Sequence, residues 1–242
     1  MFSSNAQSLT IRSNLDHVVQ RKDAACRQAG RNPDEVRLVG VTKYVDELLA
    51  RILCTAGCFD LAESRPQRIW KMAESLADFS ALQWHLIGHL QRNKVRRTLE
   101  SVSLIHTVDS QELIDSIEFE SKRRNQTTHL LIEVNLSGDP ARTGCMMSDT
   151  PRLVEFAQSK PHCCVKGLMG MAGISEDIGA ARRDFSRLRV ERDRIAGTNT
   201  AQLPELSMGM TADFEDAILE GATIVRIGSA LWQGVLKQGS HD

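Results

Sequence analysis

The sequence lacks an excess of either charge: 30 Lys and Arg stand against 31 Asp and Glu, a formal net charge of −1. Without an overall basic field, nucleic acid or an anionic membrane has nothing to hold it non-specifically. No apolar stretch approaches the roughly 18–20 residues of a membrane span. The opening residues, Met1 to Ser8, have neither the basic start nor the apolar core of a secretory signal, so a cytoplasmic location is expected. Cysteine is sparse, six in 242 residues, at positions 26, 54, 58, 145, 163 and 164. Disulfide frameworks belong to short secreted chains, and no second pair completes a zinc quartet with Cys54 and Cys58. The cysteines are expected to be small buried hydrophobes in a reducing compartment. Also missing are the dinucleotide-binding glycine fingerprint, the GxxxxGK phosphate loop and the GxSxG nucleophile elbow.

What is present is ordinary globular usage, 41% hydrophobic and 25% charged. Residues 5–30 carry Leu9, Leu15, Val18, Val19 and Cys26 between charges, and Gly30 follows as a cap, which predicts an amphipathic helix. Beyond it, eight strand candidates start near 36, 59, 83, 103, 129, 164, 205 and 223, alternating with helical patterns. Such alternation implies parallel strands with right-handed crossovers. An open doubly wound sheet usually has fewer strands and a glycine-rich first turn. Eight units favour an α/β fold, a single (β/α)8 TIM barrel over about residues 36–234. With the extra N-terminal helix, one domain is expected across 1–242.

Sites in this fold gather at the carboxyl ends of the strands, and phosphate often sits after strands seven and eight. Strand one ends in Lys43; an amine held there, partly desolvated, would be a good nucleophile toward aldehydes. Strand seven ends in Ser207-Met208-Gly209-Met210-Thr211 and strand eight in Gly228-Ser229-Ala230. Two small-residue turns on adjacent strands make a phosphate cradle of backbone N–H groups and hydroxyls. Glycine at both turns is equally what tight connections require. Arg226, inside an apolar strand and on the face of Gly228, needs a partner: a ligand at the mouth, or an internal salt bridge to Glu63 or Glu133. His85 and His89, four apart on the third strand candidate, share a face, but no accompanying Glu or Cys makes a metal site of them. His85 is expected to line the mouth or to pack. The cluster Lys94, Arg96 and Arg97 reads as a solvated helix face.

Several segments together carry a resemblance. They are Leu38-Val39-Gly40-Val41-Thr42-Lys43, Gln83-Trp84-His85-Leu86-Ile87-Gly88-His89-Leu90-Gln91-Arg92-Asn93-Lys94, His106-Thr107-Val108-Asp109-Ser110 and Glu133-Val134-Asn135-Leu136-Ser137-Gly138. Gly167-Leu168-Met169, Ser207-Met208-Gly209-Met210-Thr211-Ala212-Asp213-Phe214 and Val225-Arg226-Ile227-Gly228-Ser229 follow in order. The chain resembles the pyridoxal 5′-phosphate homeostasis proteins, the YggS/PROSC family, which are similar to the amino-terminal barrel of alanine racemase, the type III fold of pyridoxal phosphate proteins. The resemblance implies pyridoxal phosphate (PLP) bound as a Schiff base to Lys43. It implies phosphate held around Ser207, Met208, Gly209, Gly228 and Ser229, Arg226 facing the pyridine nitrogen, and His85 lining the pocket.

Departures from the family pattern are local. Where the family usually shows Phe-Gly-Glu-Asn-Tyr after strand two, this chain has Leu61-Ala62-Glu63-Ser64-Arg65, so Ser64 stands in for the Asn that approaches the cofactor. The usual Lys-x-Lys is Lys43-Tyr44-Val45, and Gly173-Ile174-Ser175 replaces prolines after strand six. The resemblance also bears on activity. An arginine at the pyridine nitrogen disfavours ring protonation and weakens the ring as an electron sink. Racemisation needs a second acid/base, which alanine racemases take from a tyrosine of another domain, and the only tyrosine here is Tyr44. The expectation is a monomeric, non-catalytic carrier of PLP that meets apo PLP-dependent enzymes transiently. The alternatives are a small PLP-dependent amino-acid racemase or related enzyme, and a barrel for another phosphate metabolite.

Overall fold

A computed structural model describes residues 4–139, 141–173, 177, 179–198 and 202–236. Eight strands close into a parallel barrel in chain order. They are β1 (Arg37–Val41), β2 (Asp60–Glu63), β3 (Gln83–Leu86), β4 (Val102–Val108), β5 (Thr128–Val134), β6 (Cys163–Gly170), β7 (Glu205–Ser207) and β8 (Ile224–Ile227). Closure comes from β1 pairing β8, with Gly40 opposite Ile227. Each strand begins within a residue of its expected start, because each apolar run is bounded by turn residues and holds too few residues for a helix.

Eight α-helices accompany the strands among the described residues. They are α1 (Ser4–Gln28), α2 (Glu47–Thr55), α3 (Pro66–Ser75), α4 (Val95–Thr98), α5 (Gln111–Arg123), α6 (Thr150–Gln158), α7 (Ala180–Thr198) and α8 (Phe214–Leu219). Helix α1 ends as expected at Gly30, whose φ of +68° is left-handed. Gly30 N–H donates to Arg27 O and Arg31 N–H to Cys26 O, the paired bonds of a Schellman stop. Its buried stripe differs from the expected one. Leu9 is 66% exposed, while Ile11, Leu15, Val18, Ala25 and Cys26 are buried. The 3.6-residue period runs back from Val18 through Leu15 to Ile11 and skips Leu9.

Two cores result. The larger lies between the strands and the helices. The smaller lies inside the barrel, built from Val39, Val41, Ala62, Leu104, Leu131, Met169 and Ile224. Alternation along each strand makes Arg37, Asp60, His85, His106, Glu133, Ser207 and Arg226 inward neighbours of these residues. An interior this polar departs from the branched aliphatic layers usual in such barrels. Cys26, Cys54, Cys58 and Cys163 are buried and all six cysteines are free. Among the described residues no helix is long and apolar enough to cross a membrane.

Candidate functional site

The mouth is assembled from the loops after β1, β2, β7 and β8. After β1 the chain makes a tight turn: Thr42 O accepts from Val45 N–H, with Lys43 and Tyr44 at its centre. Three anchors hold this turn. Thr42 donates from its hydroxyl to Ala62 O at 3.1 Å. Arg68 of α3 donates to Val45 O at 2.6 Å and Thr42 O at 3.3 Å. Trp232 Nε1 donates to Val41 O at 2.8 Å. Lys43 keeps the inward parity of Val39 and Val41 but is exposed, its Nζ 4.7 Å from the centre of the Tyr44 ring. The expected partial desolvation of this amine is therefore absent, because β1 ends at Val41 and the lysine stands in the turn above it.

Arg68 owes its place to Glu63, the last residue of β2. The Glu63 side chain is fully buried and paired with Arg68 Nε. Burial pushes its carboxyl above the usual range, and the nearby guanidinium opposes that rise. Ser64, next in line, is half-buried. Its backbone packs directly against Gly88 after β3, where an added Cβ would fall 2.1 Å from Ser64 O.

The two turns after β7 and β8 lie side by side. Gly209 has φ +89°, and a Cβ there would sit 2.6 Å from Ala217 Cβ and 2.9 Å from Phe214 Cα, so the close approach of α8 demands glycine. Gly228 is different. Its φ is not left-handed, and a Cβ would meet only ordinary contact, 3.6 Å from Val41 Cβ. The chain's own packing leaves room for a methyl group at this position. Gly228 N–H donates to Thr211 Oγ1 at 3.3 Å, tying the two turns together. Among the described residues the N–H groups of Gly209, Ser229 and Ala230 have no hydrogen-bond partner. Ser229 is exposed beside them. This open row of donors above a side-chain-free position fits a phosphate group.

Two residues expected at this cradle are turned away from it. Ser207 is fully buried, and its Oγ accepts from Arg226 Nη1 at 2.6 Å and lies 2.9 Å from His106 Nδ1. Met208 packs in the outer core and spends its N–H on Ile224 O. Both still belong to the segment that carries Gly209, and their side chains serve the barrel.

Arg226 is 3% exposed and lies inside the barrel below Gly228. It donates to Ser207 Oγ and, through Nη2, to Gly170 O at 3.2 Å. Neither Glu63 nor Glu133 pairs with it. Glu63 is taken by Arg68, and Glu133 accepts from Thr143 Oγ1 at 2.7 Å. Burial lowers the guanidinium to about 10, with Asp213 and Glu133 pulling the other way, so it stays charged at neutral pH. A charged, buried guanidinium with no carboxylate in contact among the described residues fits a ligand acceptor above it.

His85 does not reach the mouth. Its ring is 1% exposed, with Nε2 2.9 Å from Asp60 Oδ1 and Nδ1 2.9 Å from His106 Nε2. β3 ends at Leu86, so His89 lies beyond the strand and is exposed, and the two histidines do not share a strand face. Arg97 of the basic cluster lies over the Trp70 ring at 4.5 Å. Of the segment after β6, Gly173 donates its N–H to Asp184 Oδ2 at 3.0 Å, while Ile174 and Ser175 lie outside the described residues.

Sequence reasoning missed Arg68 and Trp232 and gave His106 no role. His106 had a signal, a histidine at inward parity with Leu104 in an apolar strand. Arg68 and Trp232 had none, because the carbonyls they clamp, Thr42 O, Val45 O and Val41 O, lie far away in sequence.

Comparisons with known proteins bear on the family and the fold. The family model described as alanine racemase, N-terminal domain, matches residues 14–234. A pyridoxal phosphate homeostasis protein of Aquifex aeolicus is 38% identical, over 90% of this chain and 95% of its own. A crystal structure of a protein from Bifidobacterium adolescentis superposes with a TM-score of 0.89 at 36% identity, covering 93% of this chain and 96% of its own. PipY of Synechococcus elongatus, with PLP bound, gives 0.77 at 26% identity, over 88% and 99% of the two chains. The chain belongs to the alanine racemase N-terminal domain family, among the pyridoxal phosphate homeostasis proteins.

Proposed function

We propose that this protein binds pyridoxal 5′-phosphate and serves its homeostasis as a carrier, without catalysing a reaction of its own. The observation that carries this reading is Gly228, a glycine that the fold itself does not need. It stands between unpartnered N–H donors and a buried Arg226 that has no carboxylate in contact. In this reading the N–H groups of Gly209, Ser229 and Ala230 and the Ser229 hydroxyl hold the phosphate. Arg226 meets the pyridine nitrogen, and Ser64 stands at the ring's side. Lys43, one strand away across the β1–β8 seam, holds the aldehyde carbon as a Schiff base. When bound, the cofactor supplies a reactive aldehyde and a ring able to delocalise charge.

The side chains support holding and release over turnover. Arg226 remains cationic and discourages a proton on the ring nitrogen beside it. The only tyrosine, Tyr44, lies against Lys43, on the lysine's own side of the site. Turnover would need a second acid/base on the opposite face. Lys43 stands exposed in a turn, where a transferable cofactor can exchange. A cytoplasmic monomer, with α1 and the barrel acting as one unit over residues 1–242, meets apo enzymes transiently in this reading. The holo protein, incubated with each amino acid in deuterated water, is expected to show no sustained α-proton exchange. Exchange that turns over and depends on Lys43 would make the protein a small PLP-dependent racemase or related enzyme instead.

A further inference from the structure

A single file of polar side chains runs down the barrel from Arg226. Arg226 Nη1 donates to Ser207 Oγ, and Ser207 Oγ contacts His106 Nδ1 at 2.9 Å. His106 Nε2 meets His85 Nδ1 at 2.9 Å, and His85 Nε2 meets Asp60 Oδ1 at 2.9 Å. Each of the five members sits on a different strand: β8, β7, β4, β3 and β2. The four upper members are buried, while the Asp60 side chain, at the amino-terminal rim, is 27% exposed.

With both rings neutral, the Asp60 end of the file fixes the protons above it. Arg226 can only donate, so Ser207 Oγ accepts from it, and the hydroxyl's own hydrogen goes to His106 Nδ1 where that ring is neutral with its hydrogen on Nε2. The Asp60 carboxylate can only accept, so His85 Nε2 carries a hydrogen. A neutral His85 then accepts at Nδ1, and His106 must donate from Nε2. All four donors point toward the base of the barrel, and both rings are held as Nε2–H tautomers. Burial, the His85 ring and Arg226 all press His106 well below its ordinary value, which keeps that ring neutral. The surrounding charges are Arg37 on β1, Asp60 on β2, Glu133 on β5, Glu205 on β7 and Arg226 on β8. Arg37 lies 3.8 Å from Asp60 and 3.6 Å from Glu205, one cation between two carboxylates at the rim.

We infer that His85 and His106 are positioning residues for Arg226: anchored on Asp60, they hold Ser207 as a fixed acceptor and so set the guanidinium beneath the cofactor ring. The cofactor's place in this statement rests on the proposed function; the direction of the file does not. Protonating one ring only reverses links, because Ser207 Oγ has a second lone pair; protonating both sets His85 Nδ1–H against His106 Nε2–H, and the file breaks there.

Nitrogen-15 spectra of histidine-labelled, ligand-free protein at neutral pH test the file directly. Both buried rings are expected as Nε2–H tautomers, and either one found as Nδ1–H overturns the inference. Asp60→Ala removes the terminal acceptor and is expected to abolish the tautomer preference of His85; retention of that preference also counts against it. If Asp60→Ala does not fold, the wild-type spectrum alone decides. In protein loaded with PLP, His106→Asn is expected to displace the pH titration of the cofactor band by about one pH unit, the scale of one hydrogen bond to a charged group. An unchanged profile refutes the positioning role and leaves the cofactor reading intact. Failure of PLP to bind at all refutes the cofactor reading, and the tautomers still judge the file.

Discussion

At the residue scale, Gly228 separates what the fold requires from what a ligand requires. A methyl group fits there against Val41 without strain. Gly228→Ala is therefore expected to keep the wild-type melting temperature while weakening PLP at least about tenfold, or about 1.4 kcal/mol. Fluorescence titration beside thermal unfolding checks both halves, and equal affinity would mean that nothing approaches this position. Ser229→Ala, which removes one exposed hydroxyl, is expected to weaken retention by about 1.5–3 kcal/mol, the range for a hydrogen bond to a charged group. Lys43→Ala is expected to lose the visible cofactor band and keep the fold, since an exposed turn lysine is not core. Strand ends and alternation pick out Gly228, Ser229, Arg226 and Lys43 in the sequence; the structure sets Gly228 and Ser229 above Arg226 and leaves Lys43 in the turn after β1. The sequence misdirected Ser207, because alternation says that a side chain points inward but not whether it points up to the mouth or down to a histidine three strands away around the barrel and 101 positions away in sequence.

At the scale of elements, strand starts were readable and helix faces less so. A strand interrupts the polar background with a short apolar run, whereas α1 offers two competing sets of apolar residues, and only packing against the barrel chooses Ile11 over Leu9. The Lys43 turn was invisible as a structure because its supports are carbonyls. Arg68→Met would leave Glu63 buried without its cation, with an expected loss of about 2–4 kcal/mol, moderated because Arg68 is partly exposed. The double variant Glu63→Gln with Arg68→Met is expected to recover most of that stability, while PLP affinity stays low because the turn has lost its clamp. Urea unfolding with cofactor titration reads the two effects separately; recovery of both would mean that the clamp does not serve the site. Gly209→Ala meets both a left-handed backbone and the flank of α8, with an expected loss of about 3 kcal/mol.

At the scale of the whole molecule, eight alternating units announced a closed barrel, but not that its interior would hold a file of ionisable groups. Inward parity is a property of one strand; the meeting of His85 with His106 depends on the stagger between strands, where the β3–β4 register shifts at Trp84/His85. That interior gives stability a pH signature. The folded His106 stays neutral far below 6.5, so the unfolded chain takes up a proton that the folded ring refuses. The stabilising contribution is complete above about 6.5 and declines as pH falls below it. Glu63, Glu133 and Asp213 have raised carboxyls and act in the opposite sense. The difference between wild type and His106→Asn isolates the histidine: the stability gap measured by urea unfolding is expected to shrink as the solution is acidified, and a constant gap would contradict a neutral buried ring.

The central claim is a covalent link between one vitamin aldehyde and one amine. Borohydride reduction of the protein after incubation with PLP, followed by peptide mass spectrometry, tests it most directly. The account predicts a pyridoxyl-phosphate adduct on the peptide containing Lys43 and on no other at stoichiometric loading. An adduct confined to other lysines, or none at all, would contradict it.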